Sequence, residues 1–329
     1  MAGSQGHALA IAVSNAGGLG SLPSALSSTE ALRKELEAIR AQTRAPFNIN
    51  FFSHTPPTPS AERETGWRAA LAPYYKEYGI DPATLPSGPA RTPFNAETLA
   101  LVEEFRPAVV SFHFGLPPAD LLARVRETGT KVISSATTLD EARWLDAQGV
   151  SAIIVQGLEA GGHRGHFLSP DLTLQSGTFA LLPQVVRAVT VPVIAAGGIV
   201  DAQTVKAALA LGASAVQVGT TYLLCPETTI SATYRATLKS PDAQHTALTN
   251  LFSGRPARGI VNRVMRDLAP LNDKLPEFPL AGTAIAPLRA KAEAQGRGDF
   301  SPLWAGQNVS GCKEIPAAEL TRQLMGVGS

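Results

Sequence analysis

Short apolar runs rich in Val, Ile and Ala recur along the chain and predict strands. Seven of them lie at 18–22, 47–52, 108–112, 131–135, 152–155, 191–196 and 215–218. Most are continuous rather than alternating, which is typical of strands buried on both faces of a parallel sheet. Helical patterns separate them, with a capping-box spacing at Thr138 and Glu141 and a cap at Asp201 before a helix that Gly212 ends. The alternation repeats about every 25 to 35 residues and therefore predicts parallel βαβ units.

The number of strands predicts a (β/α)₈ TIM barrel whose first strand is truncated at the N-terminus. A segment that looks helical, 4–15, comes before the first visible strand, and only Met1, Ala2 and Gly3 precede that segment. A barrel strand of normal length does not fit there, so we expect a start upstream; an incomplete barrel wall is the alternative. An open doubly wound sheet would carry its Gly-rich turn after its first strand, whereas the Gly-rich turns here come late.

Two segments interrupt the rhythm of strands and helices. Residues 53–95 hold eight prolines, three tyrosines and Trp67, which predicts a long insertion, part loop and part helix, at the barrel end where loops shape active sites. From Leu223 the strand pattern disappears and the chain looks helical. We expect three parts: a ligand-binding barrel over 1–222, a helical substrate-side subdomain over 223–310, and a C-terminal segment, 311–329, that packs back on the barrel.

Composition and charge exclude several classes of function. Hydrophobic residues make up 44% and charged residues 17%, and the formal net charge is +1, so no global field favours nucleic acid or an anionic membrane. No apolar run approaches the roughly 20 residues of a membrane helix, and the N-terminus lacks a signal-peptide pattern. Cys225 and Cys312 lack metal-ligand spacing, and nothing completes a metal site with His163 and His166. We expect a cytoplasmic monomer or homodimer with two free thiols and no metal, nucleic acid or membrane partner.

The densest group of chemically capable residues follows the predicted strand at 152–155. Gly161 and Gly162 let the backbone approach a flat ligand, because glycine has no Cβ to hold it away. Gln156 can both donate and accept hydrogen bonds, as the pyrimidine edge of a flavin requires, and His163 can reach a substrate over the ring. The alternative is a flexible glycine turn with a solvated histidine.

Two more glycine turns follow the next two strands, at Gly197-Gly198 and at 217–220. Loops after barrel strands seven and eight commonly bind phosphate through backbone N–H groups; plain tight turns are the alternative. Asn50 lies in a mainly apolar strand, where its amide needs partners, supplied by a flavin or by the core. His113 ends a strand at the same rim as His163 and binds either substrate or a neighbouring loop.

Three arginines, Arg255, Arg258 and Arg263, lie close together in the predicted helical part. They either contact an anionic ligand or form a solvated or interdomain face, and the second interpretation is favoured.

These segments resemble the nitronate monooxygenase family, formerly called 2-nitropropane dioxygenases. The resemblance rests on Met1-Ala2-Gly3, residues 15–20, Asn50, 159–165, 196–199 and 217–220, and 299–307 looks like the class I branch. Flavin-dependent enoyl reductases and some NADH:quinone reductases share the Gly-Gly-His core. The combination is therefore more specific for the superfamily than for the reaction.

The resemblance implies a TIM barrel with noncovalent FMN and a catalytic histidine at His163, with His113 as a possible second catalytic group. FMN contacts are expected from Ala2, Gly3, Asn50, Gln156, Gly161, Gly162, Gly197, Gly198, Gln217, Val218, Gly219 and Thr220, and substrate contacts from His113 and Trp304. The implied reaction is oxidation of alkyl nitronates, such as propionate 3-nitronate, by O₂ to a carbonyl compound and nitrite. Alternatives are an NAD(P)H-dependent reductase of quinones or enoyl thioesters, and a non-enzymatic relative that takes up no FMN. Protonated His163 would stabilise the nitro group, and neutral His163 would remove an α-proton.

Overall fold

The main sheet has seven parallel strands, each paired with the next one along the chain. The computed structural model describes residues 1–86 and 91–327. The strands are β1 (Gly20–Pro23), β2 (Phe47–Phe52), β3 (Val109–His113), β4 (Lys131–Ala136), β5 (Ala152–Gln156), β7 (Val193–Ala196) and β8 (Ala215–Gln217); β6, a two-residue strand, belongs to a second sheet. All seven predicted runs form strands. The predicted α/β fold of the TIM-barrel type is confirmed.

Eight helices of the described residues lie between residues 7 and 210, and the main core lies between the sheet and all of them except the third. They are α1 (His7–Asn15), α2 (Thr29–Gln42), α3 (Ala61–Glu77), α4 (Ala96–Phe105), α5 (Ala119–Glu127), α6 (Leu139–Ala147), α7 (Thr178–Val186) and α8 (Ala202–Ala210). The Asp201 cap forms a full capping box with Thr204. The Thr138 hydroxyl caps α6, but the Glu141 carboxylate turns away to Thr137, so only half of the predicted box is present.

A second, three-stranded sheet contradicts the purely helical pattern predicted after Leu223. It consists of β6 (Gly162–His163), β10 (Ala257–Ile260) and β9 (Thr246–Thr249), all antiparallel. The sequence of β10 lacks an apolar run, because Arg258 and Gly259 occupy two of its four positions. This strand forms through its pairing, and Ala257 lies opposite His163. The region also contains α9 (Ala232–Leu238), α10 (Arg263–Asp267) and α11 (Ala281–Ala294), as predicted.

The insertion after β2 packs against this helical region. Helix α3 contacts α11, and the two share a second core separate from that of the barrel. Trp67 donates through Nε1 to the carbonyl of Ala281 at 3.0 Å, and the Tyr75 hydroxyl donates to that of Ala284 at 2.8 Å. Residues 87–90 of the predicted insertion lie outside the described residues.

The C-terminal helix α12 (Ala317–Leu324) packs against α1 and α8. Residues 328–329 of the predicted C-terminal segment lie outside the described residues, and the division at 222 and 310 stays a prediction. No helix in the described ranges has both the length and the apolar composition needed to cross a membrane. Cys225 and Cys312 are free thiols.

Candidate functional site

A cavity of about 520 Å³ opens inside the curled sheet. Its volume lies within the range typical of sites for cofactors and small molecules. Alternate residues of strands β2 to β5 and β7 line it, because side chains two apart on a strand share one face. Among them are Ser111 and His113 of β3, Ile133 and Ser135 of β4, and Gln156 of β5. The inner face of strands β3 to β5 therefore carries polar side chains beside Ile133 and Ile154.

Nearly all the residues predicted to bind cofactor or substrate meet in this cavity. The lining includes Ala2, Asn50, His113, Gln156, Gly161, Gly162, His163, Gly197, Gly198, Gln217, Val218, Gly219, Thr220 and Trp304. Gly3 is the exception: it does not line the cavity, and it occupies a turn with φ of +76° next to Leu26. Its predicted cofactor contact is therefore not supported by this geometry.

The glycines at the rim differ in what limits them. A Cβ on Gly161 would lie 2.6 Å from the backbone of Ala305, so packing within the protein requires a glycine there. A Cβ on Gly219 would meet only Met1, at 3.6 Å or more, and one on Gly162 would meet nothing within 4 Å. The space beside Gly162 and Gly219 is open to the cavity. Such open glycines fit a ligand that approaches the backbone closely.

Strand β2 presents two asparagines to the cavity, of which the sequence prediction singled out only one. The Nδ2 groups of Asn48 and Asn50 donate to the Ser111 hydroxyl at 2.8 and 2.9 Å. The Oδ1 atom of Asn48 is buried and has no partner in the described residues. A buried acceptor without a donor is costly, so this atom fits a ligand that donates a hydrogen bond. Alternation with Asn50 was the signal that could have identified Asn48.

The side-chain amide of Gln156 forms its hydrogen bonds with the glycine-rich loop that follows it. Its Nε2 donates to the carbonyl of His163 at 2.9 Å, and its Oε1 accepts from the backbone N–H of Gly165 at 2.8 Å. The side chain lines the cavity, but both polar groups face the loop. Gln156 therefore fixes the backbone on each side of Arg164, and a flavin contact through its amide stays a prediction that this geometry does not favour.

His113 is bound at both ring nitrogens. Its Nδ1 lies 3.0 Å from the Ser135 hydroxyl and its Nε2 lies 3.1 Å from the carbonyl of His163. Because a carbonyl only accepts, Nε2 carries the proton and Nδ1 accepts from Ser135. Burial lowers the pKa of His113 to about 4, so the ring is neutral near pH 7. This favours the structural alternative for His113 over a substrate contact.

The His163 side chain projects into the cavity in a nearly dry, aromatic setting. Its Nε2 lies 2.8 Å from the Ser253 hydroxyl, whereas Nδ1 has no hydrogen-bond partner within 1–86 or 91–327. The Phe278 and Trp304 rings lie 5.3 and 5.5 Å from its ring, centroid to centroid. Burial, followed by the nearby positive charge of Arg91, lowers the pKa of His163 well below 6.5. The imidazole is therefore neutral near pH 7 and can accept a proton at Nδ1.

Two buried charged side chains hold the loop that carries His163. Arg164 is fully buried and donates to the carbonyls of Gln156 and Gly157, both at 2.8 Å, and to Oε1 of Gln175 at 2.8 Å. The Glu141 carboxylate accepts from the backbone N–H groups of 167 and 168, at 2.6 and 3.2 Å. The sequence pattern singled out neither residue for this role, because both act through contacts with the backbone.

The three clustered arginines join the helical region to the barrel loops and its insertion. Arg258 donates through Nε to the carbonyl of Leu158 at 2.8 Å, and Arg255 donates to that of His166. Arg263 pairs with Glu77 of α3, with two contacts of 2.7 Å. These contacts agree with the favoured interpretation of an interdomain face.

Besides His163, three other histidines with lowered pKa values make stability depend on pH. Burial lowers the pKa of His54 and His113 to about 4 and that of His166 to about 3, from an ordinary 6.5. Between pH 6.5 and 4 the unfolded chain thus binds more protons than the folded one, so the free energy of unfolding falls as the pH drops. Urea unfolding at pH 7, 5.5 and 4.5 measures this slope.

The His54→Phe variant isolates one contribution to that slope. Both ring nitrogens of His54 are buried without partners in the described residues, and its ring lies 4.8 Å from that of Phe278, where another aromatic ring fits. In the variant, unfolding should take up at most one proton fewer, so the slope of the unfolding free energy against pH should fall by up to about 1.4 kcal/mol per pH unit. Identical slopes for the variant and the unmodified protein would contradict the assignment.

Comparisons with known proteins agree over nearly the whole chain. The family model described as nitronate monooxygenase matches residues 1–326. Nitronate monooxygenases of Pseudomonas aeruginosa and Paraburkholderia phytofirmans are 44% and 43% identical, over 99% and 98% of this chain and 93% and 89% of theirs. A solved nitroalkane oxidase from Streptomyces ansochromogenes has a TM-score of 0.91 at 36% identity, covering 99% of this chain and 93% of that one. FabK from Thermotoga maritima has a TM-score of 0.69 at 26% identity, covering 99% and 89%.

Proposed function

The chain belongs to the nitronate monooxygenase family, and we propose that it oxidises alkyl nitronates with bound FMN and molecular oxygen, releasing a carbonyl compound and nitrite. Its relatives mark it as an oxidoreductase that acts on nitronates or nitroalkanes. The observation that carries the finer proposal is a neutral, buried His163 whose Nδ1 is unbound by the described residues, in the same cavity as open glycine turns. Propionate 3-nitronate is a candidate substrate.

The chemistry of the cavity lining supports the proposal of FMN as the cofactor. The glycine turns at Gly198 and Gly219, of which Gly219 is open to the cavity, suit a phosphate, because N–H groups at strand ends bind anions when no side chain intervenes. The unpartnered Oδ1 of Asn48 suits a donor on the edge of the flavin. FMN would supply the redox chemistry, and the protein would supply binding, orientation and electrostatics.

The residues of the chain would accept the proton, position the catalytic loop and exclude water. Ser253 holds Nε2 of His163, which leaves Nδ1 to accept the α-proton of a nitroalkane or to contact a nitronate. Gln156 and His113 both bond to the carbonyl of His163 and so fix its backbone. The rings of Phe278 and Trp304 exclude water from the imidazole.

The proposal is tested with purified protein. We expect a yellow protein that releases nitrite from a nitronate in air without NADH, and whose flavin absorbance changes on anaerobic addition of the nitronate. A flavin bleached quickly by anaerobic NADH and not by the nitronate would identify a reductase instead. A colourless protein that takes up no FMN would overturn the cofactor assignment.

A further inference from the structure

Arg91 places a positive charge at the end of the cavity that holds His163. It is the only arginine or lysine among the described residues that line the cavity. Its guanidinium carbon lies 5.4 Å from the centroid of the Phe278 ring, and the His163 ring lies 5.3 Å from the same centroid. Arg91 and His163 therefore border the same small part of the cavity, next to one shared aromatic ring.

Nothing in the described residues neutralises this charge. The Arg91 guanidinium makes no hydrogen bond or ion pair within 1–86 or 91–327. Glu159 is the only carboxylate among the described lining residues, and it accepts from the N–H and hydroxyl of Thr178, at 2.8 and 3.0 Å from Oε2. Burial lowers the pKa of Arg91 only to about 10, so the group is charged near pH 7.

Near Arg91 lie a second positive charge, that of Arg255, and the His54 ring, which is neutral near pH 7. His54, whose pKa is lowered by burial and by the charges of Arg255 and Arg91, stands against the same Phe278 ring at 4.8 Å. Arg255 lies over the Phe114 ring at 4.2 Å and donates only to a backbone carbonyl. A buried charge without a counter-charge is costly, and an anionic ligand removes that cost.

We propose that Arg91 is the residue that determines specificity for the carboxylated substrate, by binding the carboxylate at the end remote from the nitronate group. The inference rests on the proposed function. A planar guanidinium matches a carboxylate with two parallel hydrogen bonds, which a neutral alkyl tail cannot offer. The phosphate of a bound cofactor belongs at the glycine turns near Gly198 and Gly219, whereas Arg91 shares an aromatic neighbour with His163.

The experiment compares propionate 3-nitronate with butyl-1-nitronate, which has no carboxylate. We expect Arg91→Gln to lower kcat/KM for the carboxylated substrate about 10- to 100-fold, mainly through KM, and to leave the neutral substrate nearly unchanged, because one charge-assisted pair is lost. Arg91→Lys keeps the charge and should recover part of the preference. Arg44→Gln, which removes an exposed arginine outside the cavity lining, is the matched control.

A binding measurement separates recognition from turnover. Anaerobic titration with 3-nitropropionate, followed by flavin absorbance, should show a Kd raised about as much as the KM in Arg91→Gln. Equal losses on both nitronates would mean that Arg91 acts on the nitronate group itself and would overturn the inference. Nitrite release without any preference for the carboxylated substrate would overturn it too and leave the proposed function intact. No nitrite from either substrate would refute the proposed function itself.

Discussion

Replacing His163 by Asn is expected to lower nitrite release from a nitroalkane by roughly 10²–10⁴-fold, because the base that accepts the α-proton is lost. When the substrate is supplied as the nitronate, the α-proton has already been removed, so the variant should lose less activity than it does with the nitroalkane. The pKa of His163 lies well below 6.5, so the unmodified protein should keep its nitroalkane activity as the pH falls to 6.5 and lose it only when the imidazole becomes protonated. Steady-state rates on both forms of one substrate, across pH, measure this.

The Ser253→Ala variant is the matched control for His163→Asn. It keeps the imidazole and removes only the hydroxyl 2.8 Å from Nε2. We expect a loss smaller than that of His163→Asn, together with a change in the pH profile, because the ring is less firmly oriented. Flavin content should be unchanged in both variants. Rates like those of the unmodified protein for His163→Asn on both substrates would remove this residue from the mechanism.

Replacing Arg164 by Met is expected to lower the free energy of unfolding by about 2–5 kcal/mol. The guanidinium is fully buried and donates to two backbone carbonyls and to one amide oxygen. Methionine fills part of the same volume but leaves these acceptors without donors in a site that water does not reach. Because the carbonyls belong to Gln156 and Gly157, the loop before His163 should loosen, and the variant should retain less FMN after dialysis.

Urea unfolding of Arg164→Met and Arg143→Met tests this assignment. Arg143 is mostly exposed, and its nearest carboxylate contact is 3.8 Å long, so its replacement should change the unfolding free energy by no more than about 0.5 kcal/mol. Equal midpoints for the two variants would show that the buried hydrogen bonds contribute nothing.

The sequence was most informative where a signal is local. The apolar runs predicted every strand of the main sheet, and the Asp201 cap predicted the start of α8. Glycines at strand ends and His163 were placed in one cavity correctly, because the ends of parallel strands meet at one edge. Contacts between distant residues escaped prediction. Ser253 lies 90 positions from His163, and no periodicity connects them.

The hydrogen-bond partners of the polar side chains were the least predictable part of the site. Gln156 and His113 looked suited to a ligand, yet both are used by the loop, since a glycine-rich segment satisfies few of its own backbone groups. Asn48 was passed over beside Asn50, although the alternation of a strand gives both the same face. Strands β9 and β10 escaped prediction because polar residues interrupt both, although all four residues of β10 are buried.

The pairing of β6 with β10 restricts how a substrate can enter. His163 pairs with Ala257 across the two strands, and the backbone N–H of Arg164 donates to the carbonyl of Pro256 at 2.8 Å. A hinge rotation of the helical region as one rigid body would pull the imidazole away from the barrel or break these bonds. We therefore expect incoming molecules to use a route that leaves β6 and β10 paired, with side chains at the rim yielding rather than the helical region as a whole.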